Sequence, residues 1–328
     1  MSNMEYVRCA LCNSDDYVVI SEKSRMKGGE YFDLRNVICK RCGLIYINPR
    51  MTKEGYELYY EAGFEEDVSG IHDRKTYFER ISTRKCVVEE KCSKVCDFIE
   101  GFIKRGDGDF LDVGCSYGDL LKTVKKKFNI SALGVEISPF ACEIARESSG
   151  INIFQGSLDQ FIEQVGIRKF GFISLRFVFE HFLDPVNKLR QLRKLLKEDG
   201  FLFIAIPDVT RVTKSIDVFF QIGHVFSYSP STFFFMALRC GFKICKMEFD
   251  EKLLLQVILT PIENNINAVG DKLLGRRRHW IEISNFIKKR IVRERRIFKL
   301  KTRYEKSTPK FIRKIGAKLL TALGVKYK

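Results

Sequence analysis

Residues 111–118 read LDVGCSYG and residues 134–138 read GVEIS, and together they set two glycines and two carboxylates at spacings that suit a nucleotide-like ligand. The apolar run at 108–113 predicts a buried strand that turns through Gly114 and Gly118 into a helix beginning near Asp119. Glycines in that turn let the backbone approach a ligand. Glu136, eighteen residues after Gly118, closes a second apolar run, at the place where a Rossmann-like fold sets a carboxylate against ribose hydroxyls. NAD would satisfy that spacing too. The first turn separates the two: it is GxxxG, without the middle and last glycines of GxGxxG, and Asp112 lies two residues before it. A fixed carboxylate there disfavours a diphosphate and favours a ligand that carries an ammonium and a sulfonium. The expected cofactor is S-adenosylmethionine.

Apolar and polar patterning alternates strand and helix through 108–113, 119–128, 131–136, 139–148, 151–154, 158–165, 170–175, 186–197 and 200–206, which argues for a parallel sheet covered on both faces. Residues 243–250 and 253–260 then predict an adjacent pair of strands. Ligands of such sheets bind beyond the carboxyl ends of the strands, and Arg176 to His181 follows the fourth of them. That position makes His181 the first candidate for a general base, with Glu180 beside it, since a neutral imidazole titrates near physiological pH. The competing reading is that Glu180 and His181 brace the following FLDP segment. His224, in the aromatic loop QIGHVFSYS, is the second candidate base. His72 and His279 read as surface or packing residues.

Cys9-x2-Cys12 and Cys39-x2-Cys42 are each the size of a knuckle that aims two thiolates at one ion. Two knuckles complete a four-sulfur structural Zn2+ site with no open position for chemistry. Four unrelated reduced thiols are the alternative. Residues 51–105 lack proline and read as a helical connector. Tyr56, Tyr59 and Tyr60 in it are expected to pack the helix on its neighbours, and Cys86, Cys92 and Cys96 to be ordinary thiols.

Lys and Arg number 57 against 41 Asp and Glu, a net charge of +16. Residues 270–328 hold 20 of those basic residues and 4 of the acidic ones, which accounts for the whole excess and leaves residues 1–269 neutral. An enzyme body that gripped a phosphate backbone would carry clustered Lys and Arg around its site, so nucleic acid is the weaker expectation for a partner. In the tail, Trp280, Ile283, Ile287 and Ile291 recur at helical spacing, as do Phe311, Ile315, Leu319 and Leu323, each series set among basic residues. Two basic amphipathic helices follow. They either cap the body or lie on an anionic membrane surface with Trp280, Phe311, Leu319 and Leu320 at the headgroup boundary. No run approaches the roughly eighteen apolar residues of a membrane span and MSNMEYVRC has no apolar signal region, so a cytoplasmic protein is expected, one that the tail could hold on the inner face of the membrane.

LDVGCSYGDLL, GVEIS, FGFISLRFVFEHFLDP at 170–185, LRKLLKEDGFLFIAIPD at 192–208 and HVFSYSPSTFFFMALRCGF at 224–242 stand in the order found in class I S-adenosylmethionine-dependent methyltransferases. The resemblance covers roughly residues 108–262 and is greatest to the small-molecule and sugar-modifying branch. Cys42-Gly43-Leu44 with Asn48-Pro49 resembles the zinc-binding region that precedes the catalytic domain in some sugar methyltransferases, and Tyr56, Tyr59 and Tyr60 resemble an aromatic segment that reaches the substrate side in this family. The resemblance implies an α/β, Rossmann-like sheet with an N-terminal zinc ribbon and a basic helical tail: ribbon 1–50, connector 51–105, catalytic domain 106–262 and tail 263–328. It implies Asp112 at the methionine end of the cofactor, and Gly114, Cys115 and Gly118 in the loop. Glu136 falls at the ribose, Ile137 at the adenine, Ser157, Leu158 and Asp159 along the adenine side, and Arg176 at the end of the fourth strand. Ser116 stands where the family has glycine, and Ser157 where it often has an acidic residue, which Asp159 would replace. The expected activity is methyl transfer to a sugar, nucleotide sugar or lipid-linked glycan, with an RNA methyltransferase or an inactive methyltransferase-fold binding protein as alternatives.

Overall fold

The computed structural model describes residues 4–25, 31–60, 74–104, 109–166, 168–212, 216–251, 254–262, 281–290 and 293. The N-terminal region contributes short strands β1 (Met4–Glu5), β2 (Tyr17–Ser21), β3 (Ser24–Arg25), β4 (Tyr31–Phe32), β5 (Asn36–Cys39), β6 (Ile45–Ile47) and β7 (Arg50–Met51). Helices α1 (Lys53–Tyr59) and α2 (Arg74–Ile99) lead from it to the main sheet.

The main sheet begins at β8 (Phe110–Val113), all four residues of which are buried. Helix α3 (Asp119–Phe128) follows and lays Leu120, Leu121, Val124 and Phe128 against the sheet. Then come β9 (Ala132–Glu136), α4 (Pro139–Ser149), β10 (Asn152–Gln155), α5 (Leu158–Val165), β11 (Phe170–Arg176), α6 (Pro185–Leu195) and β12 (Leu196–Pro207). Side-chain caps fix where these helices start: Ser138 accepts from the Ala141 amide, Ser157 from Gln160 and Asp184 from Asn187, with Pro139 and Pro185 in the first turns.

The seven strands lie in the order β10-β9-β8-β11-β12-β15-β14, where β14 (Phe242–Phe249) and β15 (Leu254–Pro261) form the expected terminal pair. The first five strands are mutually parallel, and β15 runs antiparallel to both of its neighbours. The chain winds outward from β8 to β10 on one side and from β11 to β12 on the other, so the crevice between β8 and β11 is a topological switch point. Near-continuous burial along β8, β11 and the 202–206 part of β12 is what a parallel sheet sandwiched between helices requires.

Between β12 and β14 lie a short helix α7 (Ile216–Phe219), β13 (Phe226–Ser227) and α8 (Pro230–Arg239). Strand β13 leaves the main sheet and pairs with β6, in the register Phe226↔Tyr46, to complete a four-stranded sheet ordered β13-β6-β5-β2. The N-terminal region and the segment after β12 therefore share one sheet and its backbone hydrogen bonds. They share side-chain core as well, since Cys9, Cys12, Cys39, Cys42 and Tyr46 belong to the same buried cluster as Phe179, Phe226, Tyr228 and Phe233. Arg50 donates to the Leu183 carbonyl at 2.7 Å, and Arg239 donates to the Leu11 carbonyl.

Residues 281–290 are helical. Ile283 and Ile287 are buried against Val209, Ile216 and Phe220 of the body and Ile20, Ile38 and Ile45 of the ribbon. Ile283 and Ile287, the described members of this stripe, therefore cap the body and are not open to lipid, whereas Ile281 and Phe286 on the same helix are exposed. Gly28, Gly29, His72, His279, Trp280, Ile291, Phe311, Ile315, Leu319, Leu320 and Leu323 lie outside the described residues. Among the described residues no helix is long and apolar enough to cross a membrane. Replacing Ile287 by Asp should place an unpaired charge in this packed face and cost about 3 kcal/mol or more of stability. Chemical denaturation checks it, and an unchanged midpoint would mean that the helix does not dock here.

Candidate active site

The turn after β8 is built from strained and glycine backbone. Gly114, Ser116 and Gly118 have φ of 73°, 48° and 74°, all in the left-handed region. Ser116 thus holds a conformation that glycine adopts without cost, the physical reason that a glycine is usual there. A Cβ on Gly114 would sit 2.3 Å from Cγ2 of Val178, so the glycine turn lies directly against the segment that follows β11. Cys115 turns its side chain inward, where Gly134 accommodates it: a Cβ on that glycine would lie 2.5 Å from the Cys115 sulfur. Only the backbone of Cys115 is left to meet a ligand at the turn.

Glu136 is buried at the carboxyl end of β9. One of its oxygens accepts from the Ile137 and Ser138 amides at 2.8 and 3.0 Å, and the other from the Ser116 amide at 2.7 Å. It thereby joins the turn after β8 to the turn after β9 and still has lone-pair capacity for ligand hydroxyls. Ile137 is 58% exposed beside it, as an apolar wall for a base would be. Asp112 is buried beneath the turn and accepts a hydrogen bond from Ser174, its register partner on β11. Burial raises its pKa to about 6, with Ser174 and Arg176 acting to lower it. Arg176 also lies against Cys92 of α2, which ties the connector to this end of the sheet.

On the adenine side, Ser157 is occupied as a helix cap in a reciprocal box with Gln160. Asp159 accepts from Lys188 and, at 3.1 Å, from Gln191, both on α6, and Leu158 is buried in the core. These three hold α5 in place, and their backbone is what remains to face a ligand.

Beyond β11 the chain passes through Phe177, a bulky residue at φ 58°, into a short turn of helix at Phe179–His181. A left-handed aromatic residue is a conformational outlier of the kind found at functional sites. Glu180, His181 and His224 present donor atoms that all lie within 4.8 Å of one another. Both carboxyl oxygens of Glu180 are buried without a hydrogen-bond partner, as is the hydroxyl of Tyr228. Burial pushes Glu180 up to about 8 and His181 down to about 4, while burial and the neighbouring His181 take His224 down to about 3. At neutral pH Glu180 thus keeps its proton, and the two imidazoles are uncharged. His181 Nδ1 is 2.7 Å from the Gly223 carbonyl and 3.3 Å from the Tyr60 hydroxyl, with the Phe177 carbonyl also against the ring.

The fold therefore brings together Glu180, His181 and His224, which are far apart in the chain, and adds Tyr60, which helical patterning assigned to packing. Tyr56 does pack, buried with its hydroxyl directed at the Ile222 carbonyl. Ser174, Gly223 and Tyr228 lie within segments that the sequence singles out, but nothing in their type or spacing marks them individually. Residues 87–246 match the family model described as Methyltransferase domain. Over these residues the chain has a Rossmann-like α/β architecture with a mixed central sheet.

Two ubiquinone biosynthesis O-methyltransferases, from Actinobacillus pleuropneumoniae serotype 7 (strain AP76) and Glaesserella parasuis serovar 5 (strain SH0165), are 30% and 33% identical to this chain over 103 residues. That stretch is 29% of this chain and 44% and 43% of theirs, so the chain spans less than half the length of these curated relatives. A TehB-like SAM-dependent methyltransferase from Corynebacterium glutamicum is similar in structure at a TM-score of 0.41 and 16% identity, over 57% of this chain and 97% of that one.

The geometry of the turn sets up a contrast between two substitutions. Gly114→Ala should cost on the order of 1–3 kcal/mol, through its left-handed backbone and the collision with Val178. Ser116→Gly should leave the denaturation midpoint unchanged or raise it. Equal losses in both variants would contradict the turn conformation described.

Proposed function

We propose that this chain transfers the methyl group of S-adenosylmethionine to a small-molecule acceptor of the sugar, nucleotide-sugar or lipid-linked glycan class. The observation that carries methyl transfer is Glu136, buried at the end of β9 and joining the two turns that would enclose the adenosine. The acceptor class is supported by the resemblance of the cysteine-rich region and of the HVFSYS segment to sugar methyltransferases. The curated relatives act, by their names, on oxygen, which favours a hydroxyl acceptor.

S-Adenosylmethionine supplies an electrophilic methyl group on a sulfonium. Displacement at that carbon is in line, so the chain's task is to hold the acceptor, exclude water and receive a proton. Glu136 would hold the ribose hydroxyls and Ile137 would cover the base. His181 and His224, uncharged at neutral pH, are the groups able to take the proton of an acceptor hydroxyl, whereas Glu180, itself protonated there, is a donor. Tyr60 and the Gly223 carbonyl fix the orientation of His181.

The four cysteines support a structural zinc. Their sulfurs come together in pairs at 3.4 and 3.5 Å, all within 4.8 Å, against the roughly 3.8 Å edges that zinc–sulfur bonds of about 2.3 Å give a tetrahedron. The residue after each CxxC, Asn13 and Gly43, is left-handed and donates its amide to the carbonyl of the first cysteine at 2.8 and 2.9 Å. Two knuckles of one geometry thus face each other around a buried centre. Cys9, Cys12, Cys39 and Cys42 would hold the ion closed to substrate.

Calorimetry with S-adenosylhomocysteine tests the cofactor reading. The wild type should bind it, and Glu136→Ala should lose on the order of 1–3 kcal/mol of affinity. Absence of binding by the wild type, or an unchanged affinity in the variant, rejects the reading. Elemental analysis of freshly purified protein should find one zinc per chain, and Cys39→Ser should release it and lower the melting temperature of the body as well as of the ribbon, because they share a core. A zinc-free wild type would refute this.

A further inference from the structure

The four-cysteine cluster is one of two groups of metal-ligating side chains among the described residues; the other is Glu180, His181 and His224. We propose that these three residues bind a divalent first-row transition-metal cation at the acceptor side of the cofactor crevice. Three features point there. First, the donor atoms converge, all lying within 4.8 Å of one another although they come from two separate segments. Second, Glu180 is only 1% exposed and both of its carboxyl oxygens lack a hydrogen-bond partner. Buried polar atoms are satisfied in the great majority of cases, and an orphaned carboxyl beside two imidazoles is satisfied by an ion. Third, the 2.7 Å approach of His181 Nδ1 to the Gly223 carbonyl requires the proton on that nitrogen and leaves the lone pair on Nε2. A ring nitrogen held by a backbone carbonyl is the usual outer support of a metal-bound histidine.

The donor set selects the ion. Two imidazoles and one carboxylate suit zinc, iron, manganese or cobalt, whereas magnesium and calcium favour oxygen alone. With three protein ligands the site keeps positions open, unlike the closed set of four thiolates. Its task rests on the methyl-transfer reading: there the cation takes up the imidazole lone pairs and would itself make an acceptor hydroxyl acidic, in place of a histidine base.

Cobalt(II) titration of the full-length protein carrying one equivalent of zinc, enough for the cysteine site alone, tests the site, because cobalt held by nitrogen and oxygen absorbs in the visible without the intense thiolate charge-transfer band of a cysteine site. One cobalt per chain without that band is expected. Glu180→Gln and His224→Asn should each weaken it tenfold or more, while melting temperature and S-adenosylhomocysteine affinity stay near wild type. No cobalt bound beyond the cysteine site, or wild-type affinity in both folded variants, overturns the proposal. The two readings fail separately. Cobalt bound at the triad in a protein that does not bind S-adenosylhomocysteine keeps the cation site and rejects methyl transfer, and the reverse result rejects the site alone.

Discussion

The carboxylate of Glu136 accepts three backbone amides from two different turns, and the geometry of the cofactor crevice depends on that junction. A parallel sheet delivers the ends of β8 and β9 side by side, but each turn beyond them has its own backbone freedom. Tying the Ser116 amide to the carboxylate that also receives the Ile137 and Ser138 amides removes the freedom of both together. Charge-assisted hydrogen bonds of this kind are stronger than neutral ones, and they offset the left-handed conformation forced on Ser116. The turn after β8 in turn fixes Val178, whose methyl fills the space left open at Gly114. Val178 begins the segment that carries Glu180 and His181, so the turn after β8 and the turn after β11 are set in one connected piece.

Much of this was legible in the residues. The helices at 119–128 and 158–165 have the limits that periodicity and caps predict, because Gly118, Asn129, Ser157 and Gly166 mark their ends by local chemistry. The apolar run predicts a start for β12 at 200, and the strand starts at Leu196: a register shift between Phe170 and Phe172 on its partner β11 lets the pairing begin earlier than the apolar run does. The pairing of β13 with β6 left no trace in the sequence, since two residues have no periodicity and their partner is remote. Tyr60 shows a related limit. Helical spacing assigns Tyr56, Tyr59 and Tyr60 to packing, as all three do pack, and only the path of the chain past His181 gives Tyr60 its further contact with the imidazole. Ser157 and Asp159 illustrate the converse: position suggests a ligand contact, but the Gln160 box and the α6 partners occupy both side chains.

Charge shows how local detail alters a bulk property. The whole excess of +16 belongs to residues 270–328, yet within the helical stretch at 281–290 the apolar stripe is spent on the body and ribbon. Lys288, Lys289 and Arg290 are then carried on a docked element whose orientation the core decides.

The pairing of Tyr46 with Phe226 has a consequence for how the chain is made. During synthesis the cysteine knuckles emerge early, whereas the strand that finishes their sheet emerges only after most of the parallel sheet has been translated. An N-terminal ribbon would ordinarily fold first as a unit. Here its edge strand β6 stays exposed in the nascent chain, a template for wrong partners until residues 226–227 arrive. The ribbon then acts as a scaffold awaiting its last strand, and the loop bearing His224 is drawn into place by the event that closes it.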